Sequence, residues 1–202
     1  MSREGQSGEE RIREEQTGEG QSKEQSTQSE KQSIRGIRRY IRFLVDAAII
    51  AAMYAVLTIL IPGGSGQIQV RVSEALTVLP YFTPAAVPGL FVGCLIANMV
   101  VGKGIYDIVL GSLATLAAAF LTRKMPSGYL APLPPVIINA VAVAFILKIT
   151  LNLPIPASMA FVAVGEVIAC YGLGYPLLLF LRRQGGRLFR SDDSKGGQTK
   201  EK

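Results

Sequence analysis

The chain has 202 residues and a formal net charge of +6, and 49% of its residues are hydrophobic. It contains no His, so a histidine-based zinc or haem centre has no obvious set of ligands, and we predict no metal and no cofactor. The basic residues do not form the aromatic-interleaved stripe that is typical of nucleic-acid-binding surfaces, which argues against a nucleic-acid partner.

The charged residues lie mostly near the two ends of the chain, where apolar residues are scarce. Residues 1–33 contain too little apolar surface to offset the entropy lost on ordering, and they lack the basic start and apolar core of a signal peptide. The stretch 191–202 has a similar composition. We therefore predict disordered cytoplasmic tails at 1–33 and 191–202, on either side of an apolar domain at 34–190.

The domain at 34–190 contains several apolar stretches of about 17–22 residues with at most one ionisable group, which is long enough to cross a bilayer as a helix. A Gly-rich stretch, PGGSGQIQV, follows the first of them and predicts a short extended segment or flap. The next crossing is shorter than the others. We predict an all-α integral membrane bundle of six transmembrane helices, at about 44–61, 72–81, 85–101, 105–122, 136–151 and 157–181.

Basic residues stand on one predicted side of this bundle. Four arginines precede the first span, four follow the sixth, and Arg123 and Lys124 lie between the fourth and fifth spans. Cytoplasmic loops of membrane proteins carry an excess of Lys and Arg. Because six crossings place all of these groups on the same side, we predict a multi-pass protein of the cell membrane with both termini in the cytoplasm.

Ionisable and amide side chains inside a membrane span are costly and are by default candidates for a functional site. Counted from the predicted helix ends, three of them lie near the outer end of their helices and two lie near the middle of theirs, and the rest of the inner half is nearly bare. This distribution predicts a substrate pocket that opens outward. The predicted substrate-binding residues are these five, together with an arginine at the pocket mouth: Glu166, Glu74, Asn98, Asn139, Asp107 and Arg71.

Most of these residues also have a structural interpretation. Arg71 and Glu74 are one helical turn apart and would form a surface ion pair. Asn98 and Asn139 would hydrogen-bond neighbouring helices. Asp107 would lie near a helix N-terminus, where a negative charge is favoured. Composition alone leaves these interpretations open.

The first span carries a second pattern, in which alanines recur every fourth residue. A stripe of small residues lets another helix approach closely, either within the same bundle or on a partner protein. The residues are Ala47, Ala51 and Ala55, with Ala48 and Ala52 alongside.

The stretches QVRVSEALTVLPYFTPAAVPGLFVGCLIANMVVGKGIYDIVLGSLATLAAAFLTRK, LPPVIINAVAVA and VGEVIACYGLGYP resemble the QueT family over about residues 43–183. These are substrate-binding S components of energy-coupling factor (ECF) transporters, assigned to queuosine precursors. The resemblance implies a six-helix protein that captures a 7-deazaguanine such as preQ0 or preQ1 on the outer face. It also implies that the alanine stripe docks on a coupling subunit that works with two ABC-type ATPases. The chain has no Gly-x-x-x-x-Gly-Lys-Ser/Thr loop, so ATP hydrolysis would come from these partners.

The chemistry of a deazaguanine indicates which residues would hold it. Its N1–H and exocyclic amine lie side by side, and a carboxylate accepts both in a bidentate pair that is strong when water is excluded. Glu166 has no basic residue within a helical turn, so a structural role explains it least well. Glu166 or Glu74 is therefore the predicted partner of the guanine edge, and Asp107 is a weaker candidate. The aromatic residues that could stack on the ring are Tyr54, Tyr81, Phe82, Phe91 and Tyr171.

Two other functions stay open at the level of sequence. A stand-alone secondary transporter of a small polar or heteroaromatic molecule would need polar residues through the inner half, where only Asp46 and Lys148 occur, near the helix ends. A membrane-embedded enzyme would use Glu74, Asp107 and Glu166 as acid and base or as metal ligands, but these lie on different helices without a paired motif. We therefore predict a transport component and no enzymatic activity.

Overall fold

The computed structural model describes residues 3–61 and 71–183, with side chains at residue 28 and from residue 30 onward. The regular structure in these ranges is entirely helical, so the predicted all-α fold class is confirmed. The residues fall into two compact units, Met1–Phe43 and Leu44–Lys202. The elements are α1 (Arg3–Leu60), a 3₁₀ helix (Val72–Tyr81), α2 (Ala86–Val100), a first π segment (Asp107–Gly111) running into α3 (Ser112–Arg123), α4 (Leu133–Leu151), and α5 (Ile155–Val167) joined by a second π segment (Ile168–Gly174) to α6 (Tyr175–Arg183).

Six predicted spans thus correspond to six helical stretches within the described ranges. Three of them are long and apolar enough to cross a membrane, namely Glu30–Leu60, Leu133–Leu151 and the continuous Ile155–Arg183, and Ala86–Val100 is a shorter apolar helix. Large apolar side chains are exposed along the outside of these helices, whereas glutamates and asparagines are buried inside. An apolar exterior around a polar interior is the arrangement expected of a helical membrane protein.

The short second crossing is a 3₁₀ helix, Val72–Tyr81. A 3₁₀ helix rises about 2.0 Å per residue rather than about 1.5 Å, so ten residues extend about 20 Å instead of about 15 Å. Every residue from 73 to 80 is buried, which means that neighbouring helices cover this segment on all sides. Gly174 of the second π segment makes one of these approaches, because a Cβ there would lie 3.1 Å from the backbone oxygen of Ala75.

Two glycines of α2 let α1 approach it at backbone distance. A Cβ at Gly89 would lie 2.7 Å from the backbone oxygen of Ala47, and a Cβ at Gly93 would lie 2.7 Å from that of Ala51. Any larger residue would push the helices apart, so this packing requires small residues on both sides. Ala51 is correspondingly buried.

The alanine stripe of α1 therefore divides into two parts. Ala51 and Ala55 are buried and Ala47 is partly buried, so these three serve packing within the bundle. Ala48 and Ala52 are exposed. The prediction of a face that docks on a partner stays a prediction, and in this structure only Ala48 and Ala52 are accessible for it.

The predicted tails and flap fall only in part within the residues that the structure describes. The backbone of α1 is helical from Arg3, whereas composition predicts disorder for residues 1–33. The described side chains from residue 30 to residue 42 are exposed, so no buried apolar surface supports helix in that stretch, and a disordered tail stays a prediction. The flap at 62–70 and the tail at 191–202 fall outside the described residues.

Candidate functional site

A cavity opens within the unit Leu44–Lys202, between the 3₁₀ helix, the first π segment, α3, α4 and α5. Its empty space is about 420 Å³, including the part that is open to the outside. Only about 20 Å³ of this space is open to the centre of a water molecule, roughly the room that one water needs, so a larger solute requires the lining side chains to move. The lining residues are Arg71, Glu74, Gly111, Ala114, Thr115, Asn139, Val143, Val162 and Glu166.

Glu74 lies on the 3₁₀ helix, and its carboxylate is held by two donors. The hydroxyl of Tyr54 on α1 donates to Glu74 Oε1 at 2.6 Å, and Nδ2 of Asn139 on α4 donates to Oε2 at 3.2 Å. The Thr77 hydroxyl, one 3₁₀ turn further on, donates to the Glu74 backbone oxygen at 2.6 Å. Glu74 is 2% exposed. A surface ion pair with Arg71 is therefore not the role of this carboxylate.

Asn139 connects the two carboxylates of the cavity. Its Nδ2 also donates to Glu166 Oε1 at 3.2 Å, so a single amide nitrogen bridges two helices. The amide must turn its nitrogen toward the glutamates, because its oxygen would be repelled by both of them. Asn139 Oδ1 accepts no hydrogen bond from any residue that the structure describes, and it is available to a donor in the cavity.

Glu166 lies near the end of α5, just before the second π segment. Besides Asn139, its partner is Cys170, whose Sγ donates to Glu166 Oε2 at 3.5 Å. A thiol is a weak donor, so Glu166 is less fully satisfied than Glu74, although it is only 6% exposed. Buried carboxylates without strong partners are costly, and a donor-bearing solute in the cavity would relieve that cost.

Arg71 lies at the start of the 3₁₀ helix, where it lines the cavity and is partly buried. Among the lining residues that the structure describes, it is the one with a positive charge, and the same cavity holds the two carboxylates Glu74 and Glu166. The structure therefore brings together four of the six residues predicted to bind substrate: Arg71, Glu74, Asn139 and Glu166.

Asn98 and Asp107 do not line the cavity. Asn98 Nδ2 donates to the backbone oxygen of Asp107 at 3.1 Å and to Cys94 Sγ at 3.5 Å. The same nitrogen is 3.5 Å from the position of a Cβ on Gly111, so Asn98 lies directly behind the cavity wall. A π segment disturbs the regular helical hydrogen bonding, and Asn98 supplies a donor to a carbonyl at its start. This is the interhelical role that sequence left open for Asn98.

Sequence reasoning missed two contacts of the site. Tyr54 was a candidate for stacking on a ligand, but it is fully buried and donates to Glu74 instead. Cys170 was absent from the predicted site, although its position four residues after Glu166 puts both on one helical face. The cavity is lined by none of the residues predicted to stack on a ligand, which are Tyr54, Tyr81, Phe82, Phe91 and Tyr171.

An apolar helical bundle with a carboxylate-lined interior cavity places the chain in the class of helical membrane proteins with a polar internal site. Comparison with protein families identifies the family, because residues 44–183 match the model of the QueT transporter family. The chain belongs to this family, as the resemblance predicted, and its long apolar helices are those of a membrane protein.

One relative is described as "Queuosine precursor transporter QueT", from Lactococcus lactis subsp. cremoris (strain MG1363). It is 38% identical to this chain over 77 residues, which are 36% of this chain and 44% of the relative. The matched region thus spans less than half of the relative's length. No solved structure gives a significant match.

Proposed function

We propose that this chain is the substrate-binding S component of an ECF-type importer and that it captures a queuosine precursor, a 7-deazaguanine such as preQ0 or preQ1, on the outer face of the membrane. The observation that carries the proposal is the buried group Glu74–Asn139–Glu166 along one wall of the cavity. Membership of the QueT transporter family and the name of the lactococcal relative support the substrate class.

The lining of the cavity complements the guanine edge. Glu166, the less satisfied carboxylate, accepts the N1–H and the exocyclic amine of the base as a bidentate pair. Arg71 donates to the ring carbonyl oxygen, and Asn139 Oδ1 accepts a ring N–H. Apolar contacts from Val143 and Val162 cover the faces of the ring in place of the aromatic residues predicted from sequence.

The second carboxylate gives this cavity a preference among deazaguanines. Glu74 and Glu166 together exceed the charge of Arg71 when both are ionised. A buried charge is stabilised by an opposite charge close to it, so an aminomethyl cation on the ligand fits better than a neutral nitrile. We therefore expect preQ1 to bind more tightly than preQ0.

The outward-facing orientation follows from topology. Val143 lies nearer the end of α4 than its start, and Val162 lies nearer the start than the end of the continuous helix Ile155–Arg183. Arg123 and Lys124, at the end of α3, and Arg182 and Arg183, at the end of α6, belong to the opposite side. The positive-inside rule makes that side cytoplasmic, so both termini are cytoplasmic and the cavity opens to the exterior.

Transport through such a cavity requires partners. The sequence contains no phosphate-binding loop for ATP, so two ABC-type ATPases and a coupling subunit supply the energy. Ala48 and Ala52 are exposed on α1 and offer a smooth surface for the coupling subunit. The precursor passes through chemically unchanged, and the chain does not act as an enzyme.

Binding calorimetry on the purified full-length protein, without nucleotide, tests the proposal with preQ1, preQ0 and the unsubstituted 7-deazaguanine base. Replacing Glu166→Gln should weaken binding of all three by about tenfold or more, because a neutral amide replaces a charge-assisted acceptor. Asp107→Asn is the matched control, since that carboxylate does not line the cavity, and it should leave affinity unchanged. Absence of binding by all three compounds would refute the proposal.

Uptake in cells separates the importer from a stand-alone transporter. Accumulation of the precursor should require co-expression of the coupling subunit and both ATPases, while binding should not. Uptake by this chain alone would show that it is a secondary transporter. Chemical conversion of the precursor by the purified protein alone, lost in Glu166→Gln, would point to the enzyme instead.

A further inference from the structure

The part of α1 that precedes the matched family region carries a stripe of basic residues on one face. Lys31, Arg35, Arg38 and Arg42 are spaced by four, three and four residues. At about 100° per residue, this spacing puts them within about 60° of one another around the helix. The backbone is helical throughout the stretch, and residues 31–45 include no Asp or Glu. The stripe therefore presents a concentrated positive charge on one side of α1.

A second stripe, of isoleucines, runs beside the basic one. Ile34, Ile37 and Ile41 are spaced by three and four residues, so they too share one face of the helix. Their side chains are 43%, 57% and 53% exposed. A contiguous apolar stripe on an accessible surface marks a contact site. Basic and apolar stripes side by side make this stretch an amphipathic helix of the kind that binds at membrane interfaces.

The position of the two stripes identifies what they contact. They end just before Leu44, where the apolar membrane span and the family match begin. The phosphates of lipid headgroups lie at that level, and juxtamembrane polybasic segments are attracted to anionic lipids. We propose that residues 30–43 bind anionic phospholipids through the stripe Lys31, Arg35, Arg38 and Arg42, with Ile34, Ile37 and Ile41 entering the boundary of the acyl chains.

The length of the stripe adds a geometric requirement. From Lys31 to Arg42 the helix rises about 16 Å at 1.5 Å per residue. A headgroup layer is about 5–8 Å thick, so a segment standing upright would bring only its last turn into contact with the phosphates. The proposal therefore requires α1, which is continuous from Arg3 to Leu60, to bend near Phe43 in the membrane so that the segment lies along the surface and all four basic residues reach headgroups. That orientation also brings the isoleucine stripe to the acyl boundary, which makes its depth measurable.

The test uses the absence of Trp from the natural chain. The full-length variant Ile37→Trp carries a single tryptophan on the isoleucine stripe, and it is placed in nanodiscs of phosphatidylcholine with or without phosphatidylglycerol. With phosphatidylglycerol, we expect a blue-shifted emission and at least about twofold stronger quenching by lipids brominated on their acyl chains. High salt should reverse the shift, because it screens exposed charges.

Two further variants make the test specific. Gly36→Trp is the matched control, since Gly36 has no atom within 4 Å of an added Cβ and lies on another face of the helix, and it should be quenched less. Lys31→Gln/Arg35→Gln/Arg38→Gln in the Ile37→Trp background should abolish the lipid-dependent shift, while Arg39 and Arg42 remain next to the span to hold its orientation.

Three results would overturn the proposal. The emission of Ile37→Trp could be the same in both lipids, which would mean that headgroup charge is not recognised. The shift could survive the triple Gln substitution, which would assign it to apolar insertion alone. Finally, the shift could require added coupling subunit or RNA in neutral lipid, which would make the stripe a macromolecular interface. None of these results depends on which solute the cavity binds.

Discussion

Two regions of the bundle contain the same kinds of residue and do different things. The first, around the cavity, combines Asn139 with Glu74, Glu166 and Cys170. The second, behind the cavity wall, combines Asn98 with Asp107 and Cys94. From sequence, Asn98 and Asn139 have the same chemistry and the same possible role of hydrogen-bonding neighbouring helices.

The atoms that each asparagine contacts account for the difference. Asn139 donates to two side-chain carboxylates, which keep unused acceptor positions facing the cavity. Asn98 donates to a backbone oxygen at the start of a π segment, where regular helical hydrogen bonding is disturbed. A polar residue inside a membrane bundle is thus a candidate for solute binding when it keeps unused hydrogen-bond donors or acceptors that face a cavity. It has a structural role when its hydrogen bonds go to the backbone.

The largest contrast should come from replacing each asparagine by leucine. Asn139→Leu should weaken binding of preQ1 by about 100-fold, because it removes an acceptor and leaves two carboxylates without their shared donor. Asn98→Leu should change affinity by less than about threefold and lower the free energy of unfolding by about 1–3 kcal/mol. Calorimetry and thermal unfolding in detergent measure the two effects. Equal losses of affinity would remove the distinction between the regions.

A smaller effect is expected from replacing Tyr54, which lies on α1 and donates a hydrogen bond to Glu74 in the first region. Tyr54→Phe keeps the ring and removes the 2.6 Å hydrogen bond to Glu74, so affinity should fall by about tenfold. Tyr175→Phe is the control, because its ring contacts Tyr129 away from the cavity. Calorimetry with preQ1 and with preQ0 should show the larger loss for preQ1. A larger loss for preQ0 would mean that Glu74 does not serve the cation.

The smallest effect should come from the two cysteines. Cys170 contacts Glu166 at 3.5 Å, and Cys94 accepts from Asn98 at 3.5 Å. A thiol forms only weak hydrogen bonds, so Cys170→Ala should lower affinity by about threefold or less, and Cys94→Ala should not change it. The same calorimetric titration applies to both. A loss above tenfold for Cys170→Ala would show that the thiol contacts the solute directly.

The sequence predicted more of the fold than of the site. The helical stretches follow from apolar runs bounded by Gly, Pro and charged residues, and their number was correct. That Glu74, Asn139 and Glu166 lie close together was predicted from the position of each residue along its helix. Rotation about the helix axis could not be predicted, because lipid-facing and core-facing side chains are both apolar and leave little periodicity in α4 and α5.

The hydrogen-bond partners of the site residues could not be predicted from sequence for a related reason. The bond from Tyr54 to Glu74 joins residues twenty apart in sequence, across the Gly-rich stretch. It depends on α1 lying against the 3₁₀ helix, which no local pattern encodes. The 3₁₀ conformation itself was not predicted, since VSEALTVLPY has ordinary helical composition and differs only in being short.

That 3₁₀ helix has a consequence for how specificity can change. With three residues per turn, positions 71, 74 and 77 align in a straight column instead of drifting around the axis as they would in an α-helix. Arg71 and Glu74 line the cavity, and the Thr77 hydroxyl is hydrogen-bonded to the Glu74 backbone oxygen. Substitutions at positions 71 and 74 would therefore change the charge that this one column presents to a solute. Inserting a single residue between 71 and 77 would rotate part of that column by about 120°.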